Sequence, residues 1–335
     1  MQTELFEVDP LSDNRKLYAR AAEALGAGAL VGIPTETVYG LGADALNPEA
    51  VARIFEAKGR PSFDPLIIHV HHGCEVEKYT AVPEGLKDLV HTLASRFWPG
   101  PLTLVLPKAD IIPDIVTSGL PTVAVRVSAH PAMRGVAKAL GRPIAAPSAN
   151  RFGRVSPTTA QHVQDELGAD LLVLDGGPCD VGIESTIVDC TRGVPVLLRP
   201  GAISREQIAA VCGMQPLSKE ELPALTPRAS GTLEAHYAPA AKVRLMDAKA
   251  LQTALDLLGA DAAHIAVYAR SALRTRSSKL VVRRMPDDAS ATAQQLFAVL
   301  RGFDDQAVKL IWIETPPATP DWEGVRDRLQ RAAAA

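Results

Sequence analysis

The sequence has few cysteines, no paired cysteine motif and no long apolar run. Cys74, Cys179, Cys190 and Cys212 are far apart in the chain, so they fit neither a structural zinc site nor a disulfide framework. A catalytic cysteine stays open, but small buried or surface thiols are the simpler interpretation. No stretch approaches the ~20 apolar residues that span a bilayer, and the polar start of the chain has no signal-peptide core. We therefore expect a soluble cytoplasmic protein with reduced thiols and no membrane contact.

An excess of positive charge and the standard phosphate loops are also missing. The formal net charge is −3 at pH 7, so no global field would hold nucleic acid and any anion site must be local. The sequence has no GxxxxGK[ST] motif. Gly26, Gly28 and Gly32 resemble a dinucleotide fingerprint, but they precede a strand pattern instead of following one. A nucleotide would have to be held in another way.

What is present is an alternation of helix and strand patterns. The chain has 335 residues, 47% of them hydrophobic, which is too long for one typical core and predicts two domains. In residues 1–210 amphipathic helices alternate with apolar strands. One helix is capped by Asn47 and ends at Gly59, before the strand pattern PLIIHV. Turns such as SFDP and PGP adjoin strands, so we expect a mixed α/β sheet.

The alternation lapses over residues 211–241. These residues hold four prolines and no clean period, and they indicate a linker. Residues 242–335 then alternate again, with the strand patterns VRLM, HIAVYA, KLVV and VKLIWIE between helical stretches. This order predicts a second, smaller α/β domain with a parallel core.

Polar and cationic side chains cluster next to the predicted strands of the first domain. Arg126 lies inside the strand pattern TVAVRV, where an unpaired charge would be costly if buried. SPT (156–158) is predicted to open a helix, whose bare N–H groups suit an anion. Because ligands bind at strand ends in open α/β sheets, we expect one anion-binding cleft. The other candidate segments are PTETVYGLG (34–42), KGRP (58–61), PSAN (147–150), ESTIVD (184–189) and LLRPG (197–201).

Each candidate has a simpler alternative interpretation. KGRP is also typical of a solvated turn, and Arg126 of a structural ion pair with a carboxylate. The functional interpretation depends on joint position, because several cations and small hydroxyls lie beside neighbouring strands. For Ser148, Asn150 and Ser185 the alternative is a turn residue that hydrogen-bonds its own backbone. For His69 the alternative is a core histidine whose hydrogen bonds are satisfied within the protein.

Together these motifs resemble the YrdC family and, within it, the longer two-domain threonylcarbamoyl-AMP synthases. The family order is kept over about the first 200 residues by PTETVYGLG, KGRP, TVAVR, PSAN, SPT, ESTIVD and LRPG, and the longer form is matched by HYAP (236–239) and the α/β tail. The resemblance implies a twisted, mixed sheet with a concave cleft and a smaller, Rossmann-like C-terminal domain. It implies an enzyme that joins L-threonine, bicarbonate and ATP into L-threonylcarbamoyl-AMP and releases pyrophosphate, the first step of threonylcarbamoyladenosine formation in tRNA.

The resemblance also assigns residues. It places Lys58 and Arg60 at the triphosphate as the catalytic cations, where lysine supplies a point charge and arginine a fork for two oxygens. Magnesium is implied with the ATP, held by phosphates and water, so no residue is expected as a metal ligand. No general base is identified. Threonine would be held by Thr37, His69, Arg126, Ser148 and Ser185, and ATP by Lys58, Arg60, Asp64, Thr122, Asn150, Ser156, Thr158, Arg199, His236 and Tyr237.

Two positions depart from the family pattern. Asp64 stands where many relatives carry asparagine, and a carboxylate there would repel phosphate. The segment before HYAP lacks the usual Pro-Gly-Met and has Glu234 and Ala235 in place of cations. We still expect the linker around His236 and Tyr237 to act as a lid over the ATP site, because its proline pattern indicates a stiff, extended path.

Two other functions compete with this one. A carbamoyl transferase related to hydrogenase maturation would bring zinc-finger-like cysteines and an acylphosphatase region, which are absent from this sequence. A double-stranded RNA-binding module without catalysis would leave the threonine-sized group of side chains without a role. Direct contact with tRNA or with the downstream threonylcarbamoyl transferase complex stays open. The RNA-contacting residues of the second alternative would be Arg60, Arg126, Arg151, Arg154 and Arg199.

Overall fold

The computed structural model describes residues 5–8, 13–218, 221 and 229–335. They form two units, one made of the residues up to Phe152 with Ser156–Thr232, the other of Gly153–Val155 with Leu233–Ala335. The linker predicted at 211–241 therefore holds residues of both units, and its residues 219–220 and 222–228 lie outside the described part of the chain. Each unit is an α/β fold built around its own sheet.

The first unit contains a mixed sheet that has 11 strands within the described residues. The strands are β1 (Leu5–Glu7), β2 (Val31–Ile33), β3 (Gly40–Asp44), β4 (Ile67–His69), β5 (Leu102–Pro107), β6 (Thr122–Arg126), β7 (Ile144–Ala145), β8 (Leu172–Asp175), β9 (Thr186–Asp189), β10 (Val196–Arg199) and β11 (Leu217–Ser218). Their order is β1-β8-β2-β3-β7-β4-β6-β5-β9-β10-β11. Strand β6 runs parallel to β4 and antiparallel to β5, so the predicted mixed sheet is confirmed.

Most helices of the first unit begin and end where the sequence signals predict. They are α1 (Arg15–Gly26), α2 (Pro48–Lys58), α3 (Val76–Tyr79), α4 (Glu84–Phe97), α5 (Asp114–Thr117), α6 (Pro131–Leu140), α7 (Ala160–Leu167) and α8 (Arg205–Cys212). Asn47 caps α2 by accepting from two backbone N–H groups, and Gly59 ends it in the left-handed region at φ 59°. Ser204 and Gln207 form the predicted capping box of α8.

One helix begins later than predicted. SPT (156–158) does not open α7, because Thr159 is the N-cap and the helix starts at Ala160. Carbonyl oxygens of the SPT segment accept hydrogen bonds from the backbone N–H groups of Tyr39 and Cys179, at 2.9 Å each. The segment therefore bridges two neighbouring loops, and the helix N-terminus that we expected at its first residue is not there.

The two faces of the first sheet have different surroundings. Successive side chains of a strand point to opposite faces. Along β6, Val123 and Val125 belong to the main buried core, whereas Ala124 packs on a separate small apolar cluster. The same alternation places Thr122 and Arg126 on the face of Ala124. We call this the cleft face. Side chains on this face, and not only those at strand ends, supply the candidate site.

The second unit has a parallel sheet, as predicted. Its elements are β12 (Lys242–Met246), α9 (Ala248–Leu257), β13 (Ile265–Ala269), β14 (Val281–Arg284), α10 (Ala289–Asp304), β15 (Leu310–Glu314) and α11 (Glu323–Ala333). The strand order is β12-β15-β13-β14, and every described pair is parallel. Leu251 and Leu255 of α9 pack on Val267 and Ala269 of β13. In neither unit does a described helix combine the length and the apolarity needed to cross a bilayer.

Candidate active site

Arg126 ends β6 and is held by the loop that follows β2. Its guanidinium pairs with Glu36 (2.6 Å) and donates to the Thr37 hydroxyl (2.8 Å), while Ser128 donates to the other oxygen of Glu36. Burial disfavours the charged form of Glu36, but Arg126 and Ser128 outweigh it and lower its pKa to about 2. The structural ion pair considered for Arg126 is therefore present. The threonine contacts of Arg126 and Thr37 stay predictions.

His69 lies beside Arg126 in the register of β4 and β6 and is 2% exposed. Burial first, and then the Arg126 charge, lower the pKa of His69 to about 3, so the imidazole is neutral at pH 7. The ring hydrogen-bonds the backbone of Ala146. Among the described residues its Nδ1 has no hydrogen-bond partner. The imidazole is therefore only partly satisfied by the described residues, and its open nitrogen suits a polar substrate atom. The threonine contact of His69 stays a prediction.

Ser185 immediately precedes β9 and faces Arg199 at the end of β10. Its hydroxyl hydrogen-bonds Thr103 (2.7 Å) and accepts from Arg199 (3.2 Å), whose Nε donates to the Ser185 carbonyl (3.1 Å). Gly201 allows the backbone to approach this segment, because a Cβ there would lie 2.5 Å from the nitrogen of Thr186. Ser185 and Arg199 are thus fixed to each other, and Ser185 is not a turn residue that bonds only its own backbone.

Arg60 follows α2 and forms a buried ion pair with Asp64 (2.9 Å). It also donates to two backbone carbonyls of the following loop, at 3.1 and 2.9 Å. Ser230, from the predicted linker, joins Arg60 to Arg199, because its hydroxyl accepts from Arg60 (3.1 Å) and its carbonyl from Arg199 (2.8 Å). Burial raises the pKa of Asp64, against the charges of Arg60, Arg199 and Lys58. Two predicted phosphate contacts therefore meet at one linker residue.

Lys58, the last residue of α2, is 3% exposed. Its ammonium donates to the carbonyl oxygens of Ser148 (2.5 Å) and Asn150. Burial first, and then repulsion by Arg60, lower the pKa of Lys58 well below its ordinary value. The solvated turn considered for KGRP is wrong, because both of its cations are buried. An anion would relieve the cost of holding these charges away from water.

The other ATP contacts predicted in the first unit lie in three places. Thr122 begins β6, at the opposite end of the strand from Arg126. Ser156 donates to Glu184, the residue before Ser185. Thr158 donates through its backbone N–H to a histidine of α7, at 3.2 Å. Their contacts with ATP stay predictions.

His236 and Tyr237 belong to the second unit. The Tyr237 ring is stacked on Phe297 with 5.5 Å between centroids, and the guanidinium of Arg328 lies 5.1 Å from its centroid. His236 packs edge-on against the same ring at 4.1 Å. Tyr237 is 1% exposed and adopts φ 60°. Within its unit this tyrosine is a packing residue, and its role at ATP stays a prediction.

The structure adds residues to which sequence reasoning gave no role. Glu36 lies in a motif that the sequence singled out, but nothing in the sequence tells which cation it meets. Thr103 lies in an apolar strand pattern, where only its period-2 position marks the cleft face. Ser128 follows β6 closely, and Ser230 lies in a segment without periodicity. Their roles come from contacts between distant parts of the chain.

The RNA-binding alternative requires that the five arginines named for it form an exposed row, which they do not. Arg60, Arg126 and Arg199 are at most 7% exposed and are engaged with carboxylates, hydroxyls and carbonyls of the protein. Arg154 belongs to the other unit and pairs with an aspartate there, at 3.3 Å. Arg151 is exposed. Buried arginines cannot follow a phosphate backbone, so this alternative is not supported.

Known proteins match the chain over nearly its whole length. The Sua5/YciO/YrdC family model, described as "Telomere recombination", matches residues 23–201. A second model, "Threonylcarbamoyl-AMP synthase, C-terminal domain", matches residues 203–334. The threonylcarbamoyl-AMP synthase of Bacillus subtilis (strain 168) is 40% identical over 336 residues, which cover 97% of this chain and 95% of the relative.

Two solved structures of Pyrococcus abyssi Sua5 are also similar to the chain. The complex with L-threonine has a TM-score of 0.88 and 37% identity, and covers 99% of this chain and 98% of its own. A variant with alanines in place of an adjacent histidine and tyrosine has a TM-score of 0.89 and 36% identity, with coverages of 99% and 96%. The predicted fold class is thereby confirmed.

Proposed function

Because the chain belongs to the Sua5/YrdC family of threonylcarbamoyl-AMP synthases, we propose that it is an enzyme that makes L-threonylcarbamoyl-AMP. The reaction joins L-threonine, bicarbonate and ATP and releases pyrophosphate. It is the first step of threonylcarbamoyladenosine formation in tRNA. The observation that carries the proposal is the group of three buried cations, Lys58, Arg60 and Arg199, on the same unit as Arg126 and a neutral His69.

The residues divide into an amino-acid side and a nucleotide side. Arg126 would hold the threonine carboxylate, because its fork can serve a second anion beside Glu36. The open Nδ1 of His69 would accept a hydrogen bond from the amine or hydroxyl of threonine. Lys58, Arg60 and Arg199 would hold the phosphates. Further contacts are proposed for Thr37, Ser148 and Ser185 on the amino-acid side, and for Asp64, Thr122, Asn150, Ser156, Thr158, His236 and Tyr237 on the nucleotide side.

The chemistry needs no protein nucleophile. Threonine's amine, after it has lost a proton to solvent, adds to the carbon of bicarbonate and water leaves, which gives a carbamate. A carbamate oxygen then attacks the α-phosphorus of ATP, and the bond to pyrophosphate breaks. Negative charge builds on the leaving oxygens, so buried cations that already contact the bound phosphates would stabilise the transition state. We therefore assign Lys58 and Arg60 as the catalytic residues. The proposed location is the cytoplasm, and direct contact with tRNA or the downstream transferase complex is a further proposal.

We propose that magnesium accompanies ATP. Among the described residues, no group of three or more His, Cys, Asp or Glu side chains converges. The acidic side chains around the cations are engaged, since Glu36 pairs with Arg126 and Asp64 with Arg60. This donor set suits an ion held by phosphate oxygens and water. When bound, the ion would neutralise part of the triphosphate charge.

Substrate dependence tests the proposal directly. Protein, MgATP and bicarbonate are mixed with each of the common amino acids in turn, and pyrophosphate is measured. We expect release only when threonine and bicarbonate are both present. Release that is independent of either one, or release with every amino acid, would contradict the assignment.

A further inference from the structure

A carboxylate lies inside the cationic group that the proposed function assigns to the triphosphate. Asp64 pairs with Arg60 at 2.9 Å, and the two side chains are 5% and 3% exposed. Charges interact more strongly here than in water, because little solvent screens them. A triphosphate that binds Arg60 therefore meets a negative charge already paired with it.

The charged groups that act on Asp64 come from three parts of the first unit. They are Lys58 at the end of α2, Arg60 in the loop that follows, and Arg199 at the end of β10. All three favour the ionised carboxylate, whereas burial acts the other way and raises the pKa of Asp64 overall. The same three cations are the ones proposed to hold ATP. Bound phosphates would offset their charges, while the burial of Asp64 would remain.

We propose that Asp64 is a built-in counter-ion, which gives up its pairing with Arg60 and takes up a proton when ATP binds. The inference rests on the proposed function, which places ATP at these cations. The proton comes from solvent and ends on a carboxylate oxygen of Asp64, and no other bond changes. A protonated carboxyl can donate to a phosphate or ribose oxygen, whereas a carboxylate only accepts. Repulsion from the phosphates is thereby exchanged for a hydrogen bond.

The consequence is an ATP affinity that depends on pH. Binding that takes up a proton becomes tighter as pH falls, by up to about tenfold per pH unit for one full proton. Asparagine has nearly the same shape and donates a hydrogen bond without any proton uptake. An Asp64→Asn protein should therefore bind MgATP more tightly at neutral and higher pH, and its affinity should lose this component of the pH dependence.

Calorimetry measures the proton directly. MgATP is titrated into wild-type protein and Asp64→Asn, without threonine and bicarbonate, at one pH in two buffers of different ionisation enthalpy. Protonation of the ligand itself is common to both proteins, so the difference reports Asp64. We expect wild type to take up about one proton more. Asp44→Asn is the matched control, because Asp44 is also buried and pairs with an arginine (2.5 Å); it should keep the wild-type count. Equal uptake by wild type and Asp64→Asn overturns the inference.

An infrared measurement on wild-type protein avoids any dependence on how the variant folds. Difference spectra with and without MgATP are recorded on protein with ordinary and ¹³C-labelled aspartate. We expect a protonated-carboxyl band that appears with MgATP and shifts with the label. The absence of that band overturns the inference, even where ATP binds. A protein that binds no MgATP overturns the proposed function and this inference together, so the two failures are distinguishable.

Discussion

Arg126 and Glu36 form a buried ion pair of 2.6 Å on the cleft face of the first sheet. The glutamate fixes one side of the guanidinium, and the Thr37 hydroxyl occupies another of its nitrogens. Arginine presents five donors in a planar fork, so one structural carboxylate does not exhaust it. The pair fixes the direction in which the remaining donors of Arg126 point, and it is to these donors that we propose the threonine carboxylate binds.

We predict that removing Arg126 weakens threonine binding more than ATP binding. Arg126→Met alone would leave the Glu36 charge buried without its partner, at a cost of about 3–5 kcal/mol of stability. The double variant Arg126→Met/Glu36→Gln removes both charges, and Glu36→Gln alone is its control. Calorimetric titration of each ligand is the measurement. Equal weakening of both ligands, or loss of ATP alone, would move Arg126 to the phosphate side.

Arg60→Ala should reduce pyrophosphate release by about 10²–10³-fold, because a preorganised donor to the leaving phosphates is lost. The variant also leaves Asp64 without its ion-pair partner, so Arg60→Ala/Asp64→Asn is the informative comparison. We expect both variants to release pyrophosphate slowly, because both lack the Arg60 donor to the phosphates. Recovery of wild-type turnover in the double variant would show instead that the orphaned carboxylate caused the loss.

The stability of the protein should depend on His69 at acidic pH. Its pKa is about 3 in the fold, against 6.5 for an unperturbed histidine. Between these values the unfolded chain binds more protons than the folded one. The contribution of His69 is therefore complete above pH 6.5 and is lost as pH falls towards 3, by at most about 1.4 kcal/mol per pH unit.

Urea unfolding of His69→Gln at a series of pH values tests this. The variant should lose less stability than wild type between pH 6.5 and 4, and His91→Gln, at an exposed histidine, should behave as wild type. Parallel stability profiles for wild type and His69→Gln would contradict the assignment of a buried, neutral imidazole.

The HYAP linker is predicted to close over ATP. In wild-type protein, ATP should slow hydrogen exchange at the backbone amides of residues 230–240. Tyr237→Ala should lose this protection and lose synthesis, but it also removes a packed ring at a cost of about 3–5 kcal/mol. Tyr268→Ala removes another fully buried tyrosine of the same unit and should keep ATP protection of the linker. Unchanged exchange at 230–240 on adding ATP would contradict the lid.

The sequence predicts those parts of the fold that local chemistry determines. The cap at Asn47, the left-handed Gly59 and the strand pattern of β6 follow from propensity and period, and the structure has all three. The start of α7 does not follow, because Ser156 and Thr159 both suit an N-cap and only hydrogen bonds from distant loops decide between them.

The candidate site likewise divides into residues that the sequence predicts and contacts that only the folded structure shows. Motif order selects most of its residues, because each stands beside a strand. Their partners cannot be read from the sequence: Glu36 and Arg126 are 90 positions apart, and they meet because the loop that follows β2 lies against the end of β6. Ser230 lies in a segment with no period at all, so its contacts with Arg60 and Arg199 are visible only in three dimensions.

The two faces of strand β6 pack against different parts of the first unit. Val123 and Val125 fill the core, while Ala124 lies on the cleft face between Thr122 and Arg126. Ala229 of the predicted linker belongs to the apolar cluster on which Ala124 packs, so a larger side chain at Ala124 would press on the segment that carries Ser230. One strand therefore joins the main core on one face to the linker segment beside Arg60 and Arg199 on the other, so a substitution at Ala124 should disturb that segment while the packing of Val123 and Val125 stays in place.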